Sequence, residues 1–419
     1  MRWPGSQLCR GRLRISVLNR AVTPPNSFTP DERKAILTLG SLYSFRMLGL
    51  FMVLPVLGLY AVDMPGATPE TLGIALGAYG LTQAILQLPL GWLSDRIGRR
   101  PVVIGGLLLF IGGSFIAALA ESIYGIIAGR FVQGCGAIAA ALAALAADYT
   151  RDSQRTKAMA IIGASVGVSF VLAIVLGPAI ASRFGLGAVF LLTACLGLIG
   201  LLVVLVALPA APAQSSATVQ GEWEVSHVLG GGLPVLYVSV FLLHGLMMAA
   251  FLIAPQALAE GLGVPPAQHS VLYLGTVMLS IVPALLIMRK GRDAADPRVP
   301  IMVAIVPFSV GVVLVIQGAG LWLVVTGFIL LFTGINALEA LLPATVSRLA
   351  PGRRRGTAMG FFATSQFLGI FVGGTAGGVI LGAGGASGVL ILVVCCLCLW
   401  AALLWIRPLL IPKPVNFSE

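Results

Sequence analysis

Charge is what this sequence lacks most. Only 10% of its 419 residues are Asp, Glu, Lys or Arg, against about a quarter in an ordinary soluble domain, and that deficit excludes a water-soluble globule. Cysteine is sparse too. The six cysteines have no ligand spacing, and Cys395, Cys396 and Cys398 sit inside an apolar run as small packing residues do, so neither a metal site nor a disulfide framework is expected. A P-loop sequence and a nucleophile constellation are both missing, which removes ATP, a cofactor and enzymatic chemistry from the expected functions. The apolar runs do not alternate every second residue, and a β-barrel is disfavoured for that reason.

What is present is hydrocarbon. The residues AVILMFWYC make up 58% of the chain, and runs such as 102–120 and 186–208 are nearly free of charge; about 20 apolar residues cross a bilayer core as a helix. The 52 glycines and 25 prolines suit membrane helices, where glycine permits close packing and neighbours satisfy the groups a proline frees. The expected fold is an all-α membrane protein of twelve transmembrane helices. Spans are expected from Ile36, Thr71, Pro101, Ile123, Lys157 and Gly187, then from Leu233, Gln268, Val299, Leu321, Gly356 and Ser387. The implied organisation is a basic tail (1–35), a six-helix bundle (36–208), a linker (209–232), a second bundle (233–407) and a tail (408–419). Trp223 in the linker suits a short interfacial segment.

The net charge of +11 does not indicate nucleic acid, because the cations fall in alternate loops. They follow span two (Arg96, Arg99, Arg100), span four (Arg151, Arg155, Lys157), span eight (Arg289, Lys290, Arg292, Arg298) and span ten (Arg348, Arg353, Arg354, Arg355). The tails carry others, from Arg2 to Lys34 and at Arg407 and Lys413, while the intervening loops hold only Arg183 beside Asp63, Glu70, Glu121 and Glu260. By the positive-inside rule both termini are expected in the cytoplasm. The linker departs from the rule, with Glu222 and Glu224 but no cation.

An internal repeat organises the spans. Arg155, Ala158, Met159 and Ser165 match Arg355, Ala358, Met359 and Ser365, an offset of 200 residues that also superposes Met47, Phe51 and Pro55 on Met247, Phe251 and Pro255. Gly91 then falls on Gly291, and Gly177 on Gly377. Two parallel pseudo-symmetric halves imply a site between them near the midplane. The arm 1–26 has five arginines, no acid and no apolar core, so it is not a cleavable signal. It reads either as a disordered basic arm near anionic lipid or as the product of a start placed too far upstream.

The most specific string is Gly91-Trp-Leu-Ser-Asp95-Arg96-Ile-Gly98-Arg99-Arg100-Pro101, closing span two. Gly91 allows close helix contact, Gly98 permits a φ > 0 turn, and Asp95 offers charge to a neighbouring helix end. The start of span eleven, Gly356-Thr-Ala-Met-Gly360, is stripped of bulk and can present its N–H groups to that carboxylate. The string matches the signature between spans two and three of the major facilitator transporters. That resemblance implies a latch joining the halves on the cytoplasmic side in the outward-facing state, with Asp148 pairing to Arg96 or Arg99. The loop charges alternatively serve topology alone. In the second half Arg289-Lys-Gly291-Arg-Asp293 keeps the glycine and loses the signature.

Inside the membrane each charge is costly and hence a functional candidate. Arg46, Arg130 and Glu339 qualify. Gly129-Arg130-Phe-Val-Gln133-Gly134 resembles the family's span-four signature, whose arginine is tied to proton coupling. An arginine keeps its proton, so its part is to tune a carboxylate or hold an anionic group, unless it snorkels to an interface. Glu339, with Asn336 one turn before it, is the first choice for a proton carrier, its alternative being a structural polar contact. His244 stands second, because histidine is the side chain whose ordinary charge change falls near neutral pH, its alternative being a buried hydrogen-bond partner. Tyr43, Tyr79, Gln83, Gln87, Gln256 and Gln366 are candidates to line a polar cavity, or are glue between helices.

Span five, from Gly163 to Pro178, resembles the glycine- and proline-rich signature of drug/proton antiporters, departing with Ala173 at the middle glycine and Ala181-Ser182 at the closing pair. The segments 42–55, 82–101, 130–141, 339–343 and 356–369 resemble the YajR-type drug/proton antiporters of bacterial inner membranes over about four-fifths of the chain. That family's start aligns near Ser27, and its best-known member carries a soluble domain after span twelve that is not expected here. The resemblance implies proton-driven export of small amphipathic molecules by a monomer in the inner membrane. A proton symporter or facilitator for a small metabolite is the alternative, and a non-transporting membrane sensor is the reading from another class.

Overall fold

Thr29 opens the first helix with a reciprocal cap. Its hydroxyl accepts from the Glu32 N–H at 3.2 Å while the Glu32 carboxylate accepts from the Thr29 N–H at 2.8 Å, and Pro30 supplies a φ suited to a first turn. This computed structural model describes residues 27–208, 230–292, 294, 296–350 and 355–406. The basic arm, Trp223 and most of the expected linker, Asp293, Arg353, Arg354 and the tail from 407 lie outside the described residues.

In chain order the helices are α1 (Pro30–Met52), a single turn α2 (Leu57–Tyr60), α3 (Pro69–Ile97), α4 (Arg99–Ala118), α5 (Ile123–Cys135), α6 (Ala139–Asp148) and α7 (Asp152–Val206). They continue as α8 (Leu233–Gln256), which runs into a π-helical turn at Ala257–Gly261, then α9 (Pro266–Arg292), α10 (Arg298–Gln317), α11 (Leu321–Leu349) and α12 (Arg355–Ile406). Span four is broken: α5 and α6 are separated at Gly136, Ala137 and Ile138. Gly98 joins α3 to α4 at φ 96, a left-handed backbone that glycine adopts without strain.

Among the described residues ten helical stretches are long and apolar enough to cross a membrane, and two of them are double. With 55 and 52 residues, α7 and α12 would each extend about 80 Å if straight, against a core of about 30 Å. Each is two spans joined at one glycine: Gly185 at φ 79, ψ 175, and Gly385 at φ 61, ψ −164. The two joints are 200 residues apart, so the sequence repeat is also a backbone repeat. The chain is therefore an all-α membrane protein of twelve spans in two pseudo-symmetric bundles.

Packing follows the same symmetry. α1 lies on α7 as α8 lies on α12; α4 pairs with α5 as α10 pairs with α11; α3 meets α5 as α9 meets α11. Between the halves α3 packs on α12 and its counterpart α9 packs on α7. α8 is the interior helix, 89% buried over its apolar window, whereas Leu108, Phe115, Leu279 and Val282 are exposed as side chains facing hydrocarbon are.

Glu32 does more than cap. Arg151 at the start of α7 grips it with Nε to Oε1 at 2.9 Å and Nη2 to Oε2 at 3.0 Å, and the Arg151 N–H donates to Oε1 at 2.9 Å. The pair ties the first helix to the fifth span at their basic ends. Glu32→Ala removes the cap and the charged bonds together, and we expect it to cost about 2–3 kcal/mol, read as a lowered melting temperature of the purified protein.

Candidate transport site

Side chains from spans one and two donate to backbone carbonyls on both sides of the break in span four. Gln83 Nε2 donates to the Gly134 carbonyl at 3.2 Å, Arg46 Nη2 to the Gly136 carbonyl at 3.1 Å, and the Tyr43 hydroxyl to the Ala139 carbonyl at 2.7 Å. A cation at the C-terminal end of α5 also complements the helix dipole. Arg46 Nη2 donates to the Tyr79 hydroxyl at 2.7 Å as well.

Arg130 also sits against Tyr79, its guanidinium carbon 5.1 Å from the ring centre. Its Nε donates to the Ala75 carbonyl and Nη2 to the Leu76 carbonyl, each at 3.3 Å, and Nη1 donates to Gln133 Oε1 at 3.2 Å. Gln133 in turn donates to Ser114 at 2.8 Å. Arg130 is 1% exposed, so it does not snorkel. No carboxylate lies within ion-pair distance of it among the described residues, and carbonyls hold it instead. Gln87 is buried on the same face of α3, with its Oε1 unpartnered.

The second half builds a different cluster at the corresponding place. His244 on α8 and Glu339 on α11 are the 200-residue counterparts of Ser44 and Ala139. His244 Nε2 lies 2.9 Å from Glu339 Oε1, and Gln366 Nε2 of α12 is 2.8 Å from the same ring nitrogen. His244 Nδ1 is 3.1 Å from the Val240 carbonyl. Asn336 does not join them, donating to Ser280 at 3.1 Å. Gln256 stands apart at the end of α8, where its amide meets Glu260 at 3.2 Å. The clusters approach each other through Tyr79, whose ring is 6.1 Å from that of Phe367, the residue after Gln366.

The loop signature makes contacts within its own half. Arg99 pairs with Asp95 at 3.0 Å and with Asp148. Arg96 stacks on Trp92 at 3.9 Å, and Arg100 donates to the Val204 and Leu205 carbonyls at 3.3 and 3.0 Å, closing the end of α7. Gly91 faces Ala140 of α6. Asp95 does not reach the start of α12: its side chain is 62% exposed, and Gly356 has open space around it, while Gly360 faces Leu88. The opposite end explains why. There the backbones of α3 and α12 touch, so that a Cβ on Gly77 would sit 2.8 Å from the Phe371 carbonyl, and those on Gly73 and Gly80 would fall closer still to the Gly374 and Phe367 carbonyls. The halves are closed at the Pro69 end and unlatched at the basic end.

In the second half the latch charges are inverted, Arg348 standing for Asp148 and Asp296 for Arg96. Asp296 pairs with Arg298 at 2.7 Å, which holds its carboxyl below the usual range. Arg348 lines a cavity of about 330 Å³ with Met288, Gly291, Pro300 and Leu341, a set that includes no residue of either polar cluster.

Comparison with known proteins agrees with this architecture. The chain is 43% identical over 375 residues, 86% of its own length and 80% of the relative's, to the inner membrane transport protein YajR of Escherichia coli (strain K12). It is 34% identical to the multidrug resistance protein MdtL of Shewanella sp. (strain ANA-3) over 160 residues, 36% of this chain and 40% of that one. Among solved structures a peptide transporter POT in complex with sulfate superposes with a TM-score of 0.68 at 15% identity, covering 89% of this chain and 94% of that one. The sequence profile of the Major Facilitator Superfamily matches residues 39–288 and 235–419; the chain belongs to that superfamily and is a multi-pass membrane transport protein rather than an enzyme.

Proposed function

We propose that the chain is a proton-coupled secondary transporter that exports small amphipathic molecules by alternating access, with the basic end in the cytoplasm. One observation carries this reading: His244 and Glu339 share a hydrogen-bonding position between spans seven and ten. A carbonyl only accepts, so the contact with Val240 places a hydrogen on His244 Nδ1. The exchangeable proton is then the one between Nε2 and Oε1. Nε2 offers one lone pair or one hydrogen, so Gln366, 2.8 Å from the same atom, competes with Glu339 for it: the amide N–H suits the lone pair of a neutral ring, and only the amide oxygen suits a protonated one. Gln366 belongs to α12, the helix packed on α3, so protonation acts on an element that joins the halves. The partial similarity to the multidrug resistance protein MdtL supports a drug-like cargo, and the resemblance of span five supports antiport.

Proteoliposomes containing a pH-sensitive dye test the coupling. Adding an exported substrate is expected to move protons in the opposite direction. Movement in the same direction would make the chain a symporter, and no proton movement would sink the proposal. Asp95→Asn tests the latch in the same assay. An exposed pair contributes at most about 1 kcal/mol, so transport lost at an unchanged melting temperature reports the latch and not unfolding.

A further inference from the structure

We infer that the break in span four, with Arg46 and Arg130, is a subsite for an anion, so that the transported amphipath carries a carboxylate, sulfonate or phosphate. The inference deepens the transport reading and rests on it for the identification of the ligand as cargo. Arg46 and Arg130 are each 1% exposed. Their guanidinium carbons lie 5.9 and 5.1 Å from the centre of one ring, that of Tyr79. Two positive charges thus sit against one aromatic side chain in the interior of the first half. Neither has a carboxylate within ion-pair distance among the described residues, and Glu339, the intramembrane acid, is taken by His244.

The two arginines are not equally satisfied. Arg130 spends Nε, Nη1 and Nη2 on two carbonyls and Gln133. Arg46 spends Nη2 alone, and its Nε and Nη1 are buried with no partner. A guanidinium cannot shed its proton, and a buried charge left uncompensated costs several kcal/mol. The Nε and Nη1 of Arg46 lie on different edges of the guanidinium plane, so each is a separate charge-assisted donor that an oxyanion can satisfy. The unwound Gly136–Ile138 turn adds to this. α6 opens there, beside the carbonyls that Arg46 and Tyr43 hold, with first-turn N–H groups that have no helical acceptor. Arg46 is aimed at the junction through Gly136.

The test uses four probes that share one ring system and differ in charge: naphthalenesulfonate, naphthoate, naphthylmethylammonium and naphthylmethanol. Equilibrium binding is measured on the full chain in nanodiscs of zwitterionic lipid with no gradient. The two anions are expected to bind at least about tenfold tighter than the cation and the alcohol. Arg46→Gln is expected to erase that preference, and Arg46→Lys, which keeps the charge and loses the planar set of donors, to retain part of it. No binding of either anion, equal binding of the ammonium, or anion affinity unchanged in Arg46→Lys and Arg46→Gln each overturns the inference. If Arg46→Gln does not fold, the wild-type order and Arg46→Lys still decide. A chain that binds the anions but moves no proton refutes the coupling and leaves the subsite; one that exports a cationic amphipath against protons does the reverse.

Discussion

Glu339→Gln is expected to abolish gradient-driven accumulation while leaving substrate exchange intact. A two-unit pH gradient gives each proton about 2.7 kcal/mol, and one proton per turnover sustains ~100-fold accumulation. A glutamine keeps the size of Glu339 and can still hydrogen-bond His244, but it has no proton to carry. The accumulation ratio therefore falls from about 100 toward 1, while counterflow of labelled substrate at equal pH continues. Glu339 is 42% exposed at its side chain in the middle of a spanning helix, beside a histidine that is 3% exposed on the interior helix α8. That asymmetry makes the acid the accessible member of the pair and the imidazole the enclosed one, so the variant of the acid should have the larger effect. His244→Gln is expected to keep proton-driven transport with an altered pH profile. Accumulation that survives Glu339→Gln would remove this residue as the carrier.

The fold was readable because its signals are local or periodic. Long apolar runs, loop cations and the 200-residue offset each report on the chain in one dimension, and all agree with the twelve spans found. The joint at Gly185 and Gly385 extends the offset to two glycines whose role only the backbone reveals. Helix starts moved where a cap lies before the apolar run: α1 begins at Pro30, not near Ile36, because Thr29 and Glu32 close a capping box visible as Thr-x-x-Glu.

The site was less legible, and for specific reasons. The break in span four carries no proline, and Ile123–Asp148 keeps the mean hydropathy of a spanning helix; it coincides with a close approach of the Gly136 and Gly106 backbones, two glycines among many in the chain. One reading of Arg130 gives it a carboxylate to tune, whereas the Ala75 and Leu76 carbonyls hold it. Such acceptors belong to every residue and so announce nothing. His244 and Glu339 are 95 positions apart on different helices, and only the packing of α8 against α11 joins them. Gln256 is a polar residue in an apolar helix like the others, but it falls in the last turn, where Glu260 meets it.

Gly374→Leu is expected to stop transport by preventing closure at the Pro69 end. A side chain there must enter space held by the Gly73 carbonyl and the Gly77 backbone, each about 3 Å from where its Cβ would sit. Overpacking of this kind costs about 1–3 kcal/mol in the closed arrangement and little once the halves part, which shifts the equilibrium about 5–150-fold toward the open one. Spin labels at Ala67 and Gly384, on the α3 and α12 sides of that end, should then report a longer distance than in the wild-type chain. The basic end should close in compensation, bringing Asp95 toward the α12 start that it does not reach here. Gly112→Leu is the matched control: a Cβ at Gly112 on α4 meets nothing within 4 Å, so the same added volume should change neither transport nor the label distance. If Gly374→Leu keeps the wild-type distance and rate, the α3–α12 contact is not a gate, and the glycines on both sides serve packing alone.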